Sequence, residues 1–176
     1  RSLRMEERRL DLIHVTDRVV SVVANYEALA KAGKLPQEEA RQQAIDRVRA
    51  MRFGSDGYFT VMRSDSVVLM HPFKEDMIGK VMEDTKDPNG VYLFRNMIEV
   101  AKGPGKGFVE YAWPKPGAEA AQPKLSYVAT FRPWDWVFVA GFYMDDIEAT
   151  FHKELMKAFG LLLAVGFAVG FLLRRH

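Results

Sequence analysis

Seven residues set among apolar strands carry the chemistry that this sequence offers. His71 ends the run Val67-Val68-Leu69-Met70, Lys124 and Tyr127 open a stretch that continues Val128-Ala129, and Arg52 precedes the first strand. Tyr58, Trp113 and Tyr143 each combine a ring with a polar tip. A small anion needs this mixture: cations to neutralise it, hydroxyl donors to orient it and aromatic walls to exclude water. Taken singly, each residue has a plain alternative. Arg52, Lys124 and Ser126 also read as surface residues at strand ends, and His71 as an edge histidine with its hydrogen bonds satisfied. Lys124 and Ser126 share one face of a regular strand while Leu125 and Tyr127 share the other. Lys124 and Tyr127 therefore reach one pocket only through a bulge or near the strand end.

Other chemistries find little footing. Gly103-Pro104-Gly105-Lys106-Gly107 follows a helix and precedes a strand, the wrong context for a phosphate-binding loop. His14, His71, His152 and His176 never fall at metal-ligand spacing, and there is no cysteine. The neighbours Asp145 and Asp146 point in different directions at a helix start, where capping and the helix dipole explain them. No serine sits in a nucleophile elbow. The expectation is a binding protein rather than an enzyme, with no cofactor and no metal. Lys and Arg number 25 against 23 Asp and Glu, and a net charge of +2 is too balanced for a nucleic-acid binder driven by counterion release.

Periodicity supplies the elements that must position these residues. Up to about Ala32 there is no Gly or Pro, and Leu12, Thr16, Val19, Val23, Tyr26 and Ala30 recur at steps of three and four, which predicts a long amphipathic helix. A second helix opens at Leu35-Pro36 and buries Ala40, Ala44, Val48 and Met51. Period two then predicts strands over Tyr58 to Met62 and Val67 to His71, a short helix from about Val91 to Lys102, and strands over Gly107 to Trp113, Lys124 to Phe131 and Trp136 to Tyr143. A loop from Pro114 to Pro123 and a tight turn at Arg132-Pro133-Trp134-Asp135 join the last three. The fold class is α+β: a PAS-like antiparallel sheet of about five strands with a long N-terminal helix on one face.

The C-terminal stretch is different in kind. Ala158 to Leu173 contains only Ala, Phe, Gly, Leu and Val, and counting from Leu155, with Lys157 snorkelling, gives 19 residues, long enough to span a bilayer. A buried core helix is the alternative, but the run has no polar face. Arg174 and Arg175 place its far end in the cytoplasm by the positive-inside rule. Gly166 and Gly170 form a GxxxG spacing. The 176 residues thus divide into an extracytoplasmic domain, 1–150, and a transmembrane helix with the start of a cytoplasmic segment, 151–176. With Arg1 in place of Met, the expectation is a chain that is a piece of something longer.

The motif series is specific. Asp56-Gly57-Tyr58-Phe59, Met70-His71-Pro72, Gly79-Lys80, Asp87-Pro88-Asn89-Gly90, Gly107-Phe108-Val109-Glu110-Tyr111, Trp113-Pro114-Lys115-Pro116-Gly117, Pro123-Lys124-Leu125-Ser126-Tyr127-Val128, Pro133-Trp134-Asp135-Trp136-Val137 and Gly141-Phe142-Tyr143-Met144-Asp145-Asp146-Ile147 together resemble the single Cache domain, type 2, over about residues 5 to 150. The resemblance implies an extracytoplasmic sensor of bacterial transmembrane receptors, most often methyl-accepting chemotaxis proteins, in other cases histidine kinases or cyclases. It implies a periplasmic or extracellular domain at the inner membrane, a homodimer, a cytoplasmic output domain, and a short carboxylate ligand of the acetate, propionate, pyruvate or lactate class.

Carried over by motif, the pocket positions are Tyr58, His71, Lys124, Tyr127 and Tyr143, with Arg52 at their margin. On that reading His71 and Lys124 are charge partners, Tyr127 and Tyr143 hydroxyl donors, and Tyr58 and Trp113 walls. Two departures stand out: Ser64-Asp65-Ser66 replaces the usual Asp-x-Gly turn, and Phe142 and Met144 replace a small residue and Val. An inward Phe142 would narrow the pocket. The reading from another class is a ligand-free, membrane-anchored dimerisation module, which predicts a pocket filled by its own side chains.

Overall fold

The computed structural model describes residues 3–175, with the side chains of 147–151 outside the description; Arg1, Ser2 and His176 also lie outside it. Helix α1 spans Leu3–Lys31 and buries Leu12, Thr16, Val19 and Val23 along one stripe. It stops because Gly33 adopts φ 74°, which lets Lys34 N–H reach Leu29 O at 2.9 Å and Gly33 N–H reach Ala30 O at 3.0 Å. That pair of bonds is a Schellman cap, which favours glycine at its left-handed position. Helix α2, Gln37–Ala50, follows and buries Ala40, Ala44 and Val48.

Five antiparallel strands follow in the spatial order β2-β1-β5-β4-β3: β1 Phe59–Met62, β2 Val68–Met70, β3 Lys106–Pro114, β4 Ala121–Phe131 and β5 Trp136–Tyr143. Helix α3, Leu93–Lys102, lies between β2 and β3 in sequence. The sheet separates two cores. Phe59, Val61, Tyr127, Ala129, Trp136 and Phe138 face α1 and α2. Met62, Val109, Tyr111, Val128, Val137 and Val139 face the opposite way and pack with Leu93, Phe94, Met97, Ile98 and Ala101 of α3.

The expected long loop before β4 is shorter than its proline content suggested. Pro123 is inside the ladder opposite Ala112, and Pro114 pairs with Ala121, leaving 115–120 as the connection. Ala112 N–H points away from β4, to Asp87 Oδ2 at 2.8 Å, so Ala112 and Pro123 form a pair that exchanges no hydrogen bond. The donor that Pro123 lacks would face β5, which ends at Tyr143 opposite Lys124. In the β1–β2 turn, Ser66 takes φ 69° and does the work of the glycine expected there.

Asp87 closes the free edge of β3. It is 7% exposed, and its Oδ1 also accepts Asn89 N–H and Val91 N–H, both at 2.9 Å. One carboxylate therefore holds the entry to α3 against the strand that α3 covers. Asp87→Ala leaves three backbone donors without their acceptor and is expected to cost about 3 kcal/mol, read as a lower denaturant midpoint with an unchanged m-value.

The chain divides into two compact units, residues 1–143 and 144–176. The second is α4, Met144–Arg174, which begins ahead of the boundary expected near residue 150 and carries Asp145 and Asp146 in its first turn rather than at its cap. Within it, the 23 residues His152–Arg174 form a helix long and apolar enough to cross a membrane.

Candidate ligand-binding site

Strand alternation builds the site. On the α3-facing side, β4 presents Lys124, Ser126 and Val128, and β5 presents Val139, Gly141 and Tyr143. There β3 presents Tyr111 and Trp113, β1 presents Thr60, and the residue just before β1 presents Tyr58. Two adjoining cavities lie among them. The inner one, about 20 Å³, is walled by Lys124, Tyr111 and Thr60 of the sheet and closed by Leu93, Phe94 and Met97 of α3. The outer one, about 60 Å³, lies under the hairpin residues Pro114 to Ala118 and is bordered by Phe73 and Lys74. Tyr58, His71 and Trp113 line both.

Lys124 is the centre of the inner cavity. It is 5% exposed, and its Nζ donates to Tyr58 Oη at 3.1 Å. The ammonium lies 4.2 Å from the Tyr58 ring centroid and 5.1 Å from that of Tyr143. Among the described residues no carboxylate forms an ion pair with it, and burial alone pulls its pKa down to about 7. Its stem crosses the β5 backbone at Gly141, the cross-strand partner of Ser126. Beside it Tyr111 Oη and Ser126 Oγ are hydrogen-bonded at 2.8 Å.

His71 contributes differently from the expectation. Its Nδ1 accepts Phe73 N–H at 3.1 Å and Lys74 N–H at 3.0 Å, which fixes the proton on Nε2. Burial first, then the charges of Lys124 and Lys74, lower its pKa to about 4 despite the opposing Asp76. His71 is thus a neutral N–H donor rather than a second cation, its ring tilted against that of Tyr58 at a centroid distance of 5.1 Å.

The remaining expected residues separate. Trp113 lines both cavities, its ring 6.0 Å edge-on to Phe94. Tyr143 flanks Lys124 with its ring, but its hydroxyl donates to Pro114 O at 2.7 Å, so it anchors the hairpin instead of offering that proton to a ligand. Tyr127 is on the other face of the sheet, 5.0 Å from Phe108 in the core under α1. No bulge intervenes in β4, so strand parity separates it from Lys124. Arg52 lies outside both cavities, its Nη1 donating to Arg49 O and Met51 O at 2.7 and 2.8 Å, and it supports Phe73 from 4.8 Å. Phe142 packs into the core under α1 and does not narrow the pocket.

Tyr111, Thr60 and Gly141 were missing from the expected set. Their signal was parity: Tyr111 shares a face with Trp113, Thr60 with Tyr58, and Gly141 with Tyr143. Phe94 and Met97 had no comparable signal, because the docking of α3 is a tertiary outcome.

A buried, polar-ended cavity between a PAS-like sheet and a covering helix is the architecture of a small-molecule sensor domain. The Single Cache domain 2 family matches residues 4–157, and the chain belongs to that family. It is 37% identical over 156 residues, 89% of its length, to the methyl-accepting chemotaxis protein McpP of Pseudomonas putida, and 31% identical over 82% of its length to the sensor histidine kinase MctS of Rhizobium johnstonii. It spans only 28% and 31% of those two proteins. A solved periplasmic sensor domain of a chemotaxis protein superposes with TM-score 0.78 at 32% identity, covering 81% of this chain and 99% of that one. A structure reported for carboxylic acid recognition by a Cache chemosensory domain gives TM-score 0.77 at 32% identity, covering 82% of this chain and 99% of that one.

Proposed function

We propose that this Cache unit binds a short monocarboxylate and that α4, as a transmembrane helix, carries the result to an output domain beyond this chain. The observation that carries the reading is Lys124: a buried amine in a cavity, with a neutral tyrosine hydroxyl as its hydrogen-bond partner and, among the described residues, no carboxylate paired with it. A carboxylate ligand supplies the missing charge, and His71 Nε2–H and Tyr58 offer hydrogen bonds beside it. Leu93, Phe94 and Met97 suit a short alkyl tail, and the small volume they close argues against a large ligand, in keeping with the acetate, propionate, pyruvate or lactate class. The solved relative described by carboxylic acid recognition supports a carboxylic acid as the ligand.

The rest of the assembly belongs to the same reading: a homodimer at the inner membrane, the sensor in the periplasm, and a chemotaxis signalling domain in the cytoplasm. The likeness to MctS favours a histidine kinase as the alternative output. Tyr143 flanks Lys124 and is bonded directly to Met144, the first residue of α4, so the site has a one-residue covalent link to the helix. Ligand acts on that link only by favouring one of two states.

The test is calorimetric titration of the chain in lipid nanodiscs with acetate, propionate, pyruvate and lactate. At least one acid is expected to bind with micromolar affinity, and Lys124→Ala to remove that binding. No heat from any of the four, or binding unchanged in Lys124→Ala, overturns the reading.

A further inference from the structure

We propose that the pocket takes up a proton together with its carboxylate, so that what it reports is the undissociated acid rather than the anion alone. The inference rests on the carboxylate reading but fails separately from it.

Its basis is what surrounds Lys124 on every side. The approach to β1 brings Tyr58, β3 brings Tyr111, and β5 brings Tyr143. The segment after β2 brings His71 and then Lys74, and the hairpin adds Lys115 to the outer cavity. From α3 come only Leu93, Phe94 and Met97. The ionisable groups on these walls are therefore three phenols, a neutral imidazole and two further cations. Tyr58 and Tyr111 are both pushed well above the ordinary phenol range, burial being the main cause, so neither offers a counter-anion near neutral pH.

An ammonium in such a place has lost its hydration without gaining an opposite charge. It escapes that penalty by giving up its proton. The resting site at neutral pH and above therefore holds a substantial share of neutral amine. An entering carboxylate reverses the balance, because it restores the opposite charge that makes the ammonium the better form. The step is a protonation with simple stoichiometry: neutral Lys124 amine, RCOO⁻ and one H⁺ from solvent give the ammonium–carboxylate pair. No covalent bond changes other than N–H, and the sum equals binding RCOOH to the amine. His71, titrating near pH 4, stays neutral throughout the relevant range and does not compete for this proton.

A sensor built this way responds to the product of proton and carboxylate activities. Its response to a fixed amount of acid rises as the medium acidifies, down to about pH 7, where Lys124 is already charged.

The experiment titrates the chain in nanodiscs with acetate, propionate, pyruvate and lactate from about pH 6 to about pH 8.5, in paired buffers of low and high ionisation enthalpy. The acids stay ionised over that range, their carboxyl pKa lying near ~4. Proton uptake is expected to rise from near zero at the acid end towards one per ligand at the alkaline end. The apparent Kd is expected to weaken roughly tenfold per pH unit above pH 7. His71→Gln keeps this slope if it retains the ligand. Lys124→Arg, permanently charged, loses the slope if it folds. Binding whose Kd and heat ignore both pH and buffer overturns this inference and leaves the carboxylate reading intact. Absence of heat from all four acids at every pH overturns both. Both decisions are made on the wild-type chain, so neither depends on a variant that folds.

Discussion

Lys124→Met is expected to abolish carboxylate binding and to make the protein more stable. The two effects have one cause. The native lysine is buried against tyrosine rings with a single hydrogen bond, and burial holds its pKa near 7 instead of 10.5. Keeping an ammonium there at or below neutral pH opposes folding by about 5 kcal/mol at most, from roughly 1.4 kcal/mol per unit. Methionine fills the same volume with an apolar chain, and replacing an unpaired buried charge by such a chain is stabilising. After allowance for the lost bond to Tyr58, a net gain of about 2 kcal/mol and a rise of about 5 °C in melting temperature are expected. Ligand affinity moves the other way, by more than about 100-fold, because the carboxylate would then be buried without a partner.

The pH dependence has a definite sign. Between about pH 7 and 10.5 the unfolded chain holds the lysine proton and the native state does not, so wild-type stability rises with pH across that window. Below pH 7 both states are protonated and the penalty is constant. The stability gap between variant and wild type should therefore be widest at pH 7 and below and close as pH rises. Melting curves of both proteins between pH 6 and 10 check this. A variant less stable than wild type at every pH would mean that Lys124 is held as a satisfied structural group.

What the sequence shows of this site follows the range of the interactions involved. Lys124, Tyr58 and Trp113 are legible because period-two alternation alone sets their direction. The same rule, applied strictly, sends Tyr127 to the α1 face, and β4 runs without the bulge that could have rescued it. His71 was legible as a position but not as a chemical state, since its tautomer is set by the backbone of Phe73 and Lys74 as the chain turns. Tyr143 shows the next limit. Its direction follows from parity, yet the acceptor of its hydroxyl, Pro114 O, is 29 residues away and is brought there by the β3–β4 hairpin and the β4–β5 ladder together. The helix order, the Schellman end of α1 and the antiparallel sheet need only local pattern. The cover of the pocket by Phe94 and Met97 needs the docked helix.

Gly141→Ala is expected to remove binding and destabilise the protein together, although glycine has no side chain to offer. Gly141 has no unusual φ, so backbone strain is not the issue. Space is. A Cβ built there collides with Ser126 Oγ, comes within 2.6 Å of Leu125 O and within 2.8 Å of Lys124 Cε. The serine hydroxyl can rotate, at the expense of its bond to Tyr111, but the Leu125 carbonyl oxygen of β4, an interior strand, cannot move without disturbing the ladder to β5. The lysine stem would have to leave the groove that aims its amine between Tyr58 and Tyr143. Overpacking of this kind is expected to cost about 3 kcal/mol and to remove binding of every acid that the wild type takes. Gly141→Ser should be at least as severe. Chemical denaturation and the same calorimetric panel report the two effects independently. Because the contact with Leu125 O is to backbone, shortening the lysine does not relieve it, so the double variant Gly141→Ala, Lys124→Ala should remain unstable. Recovery of wild-type stability in that double variant would show that the clash lies with the flexible lysine stem alone, and that the β4–β5 backbone has more freedom than its spacing implies.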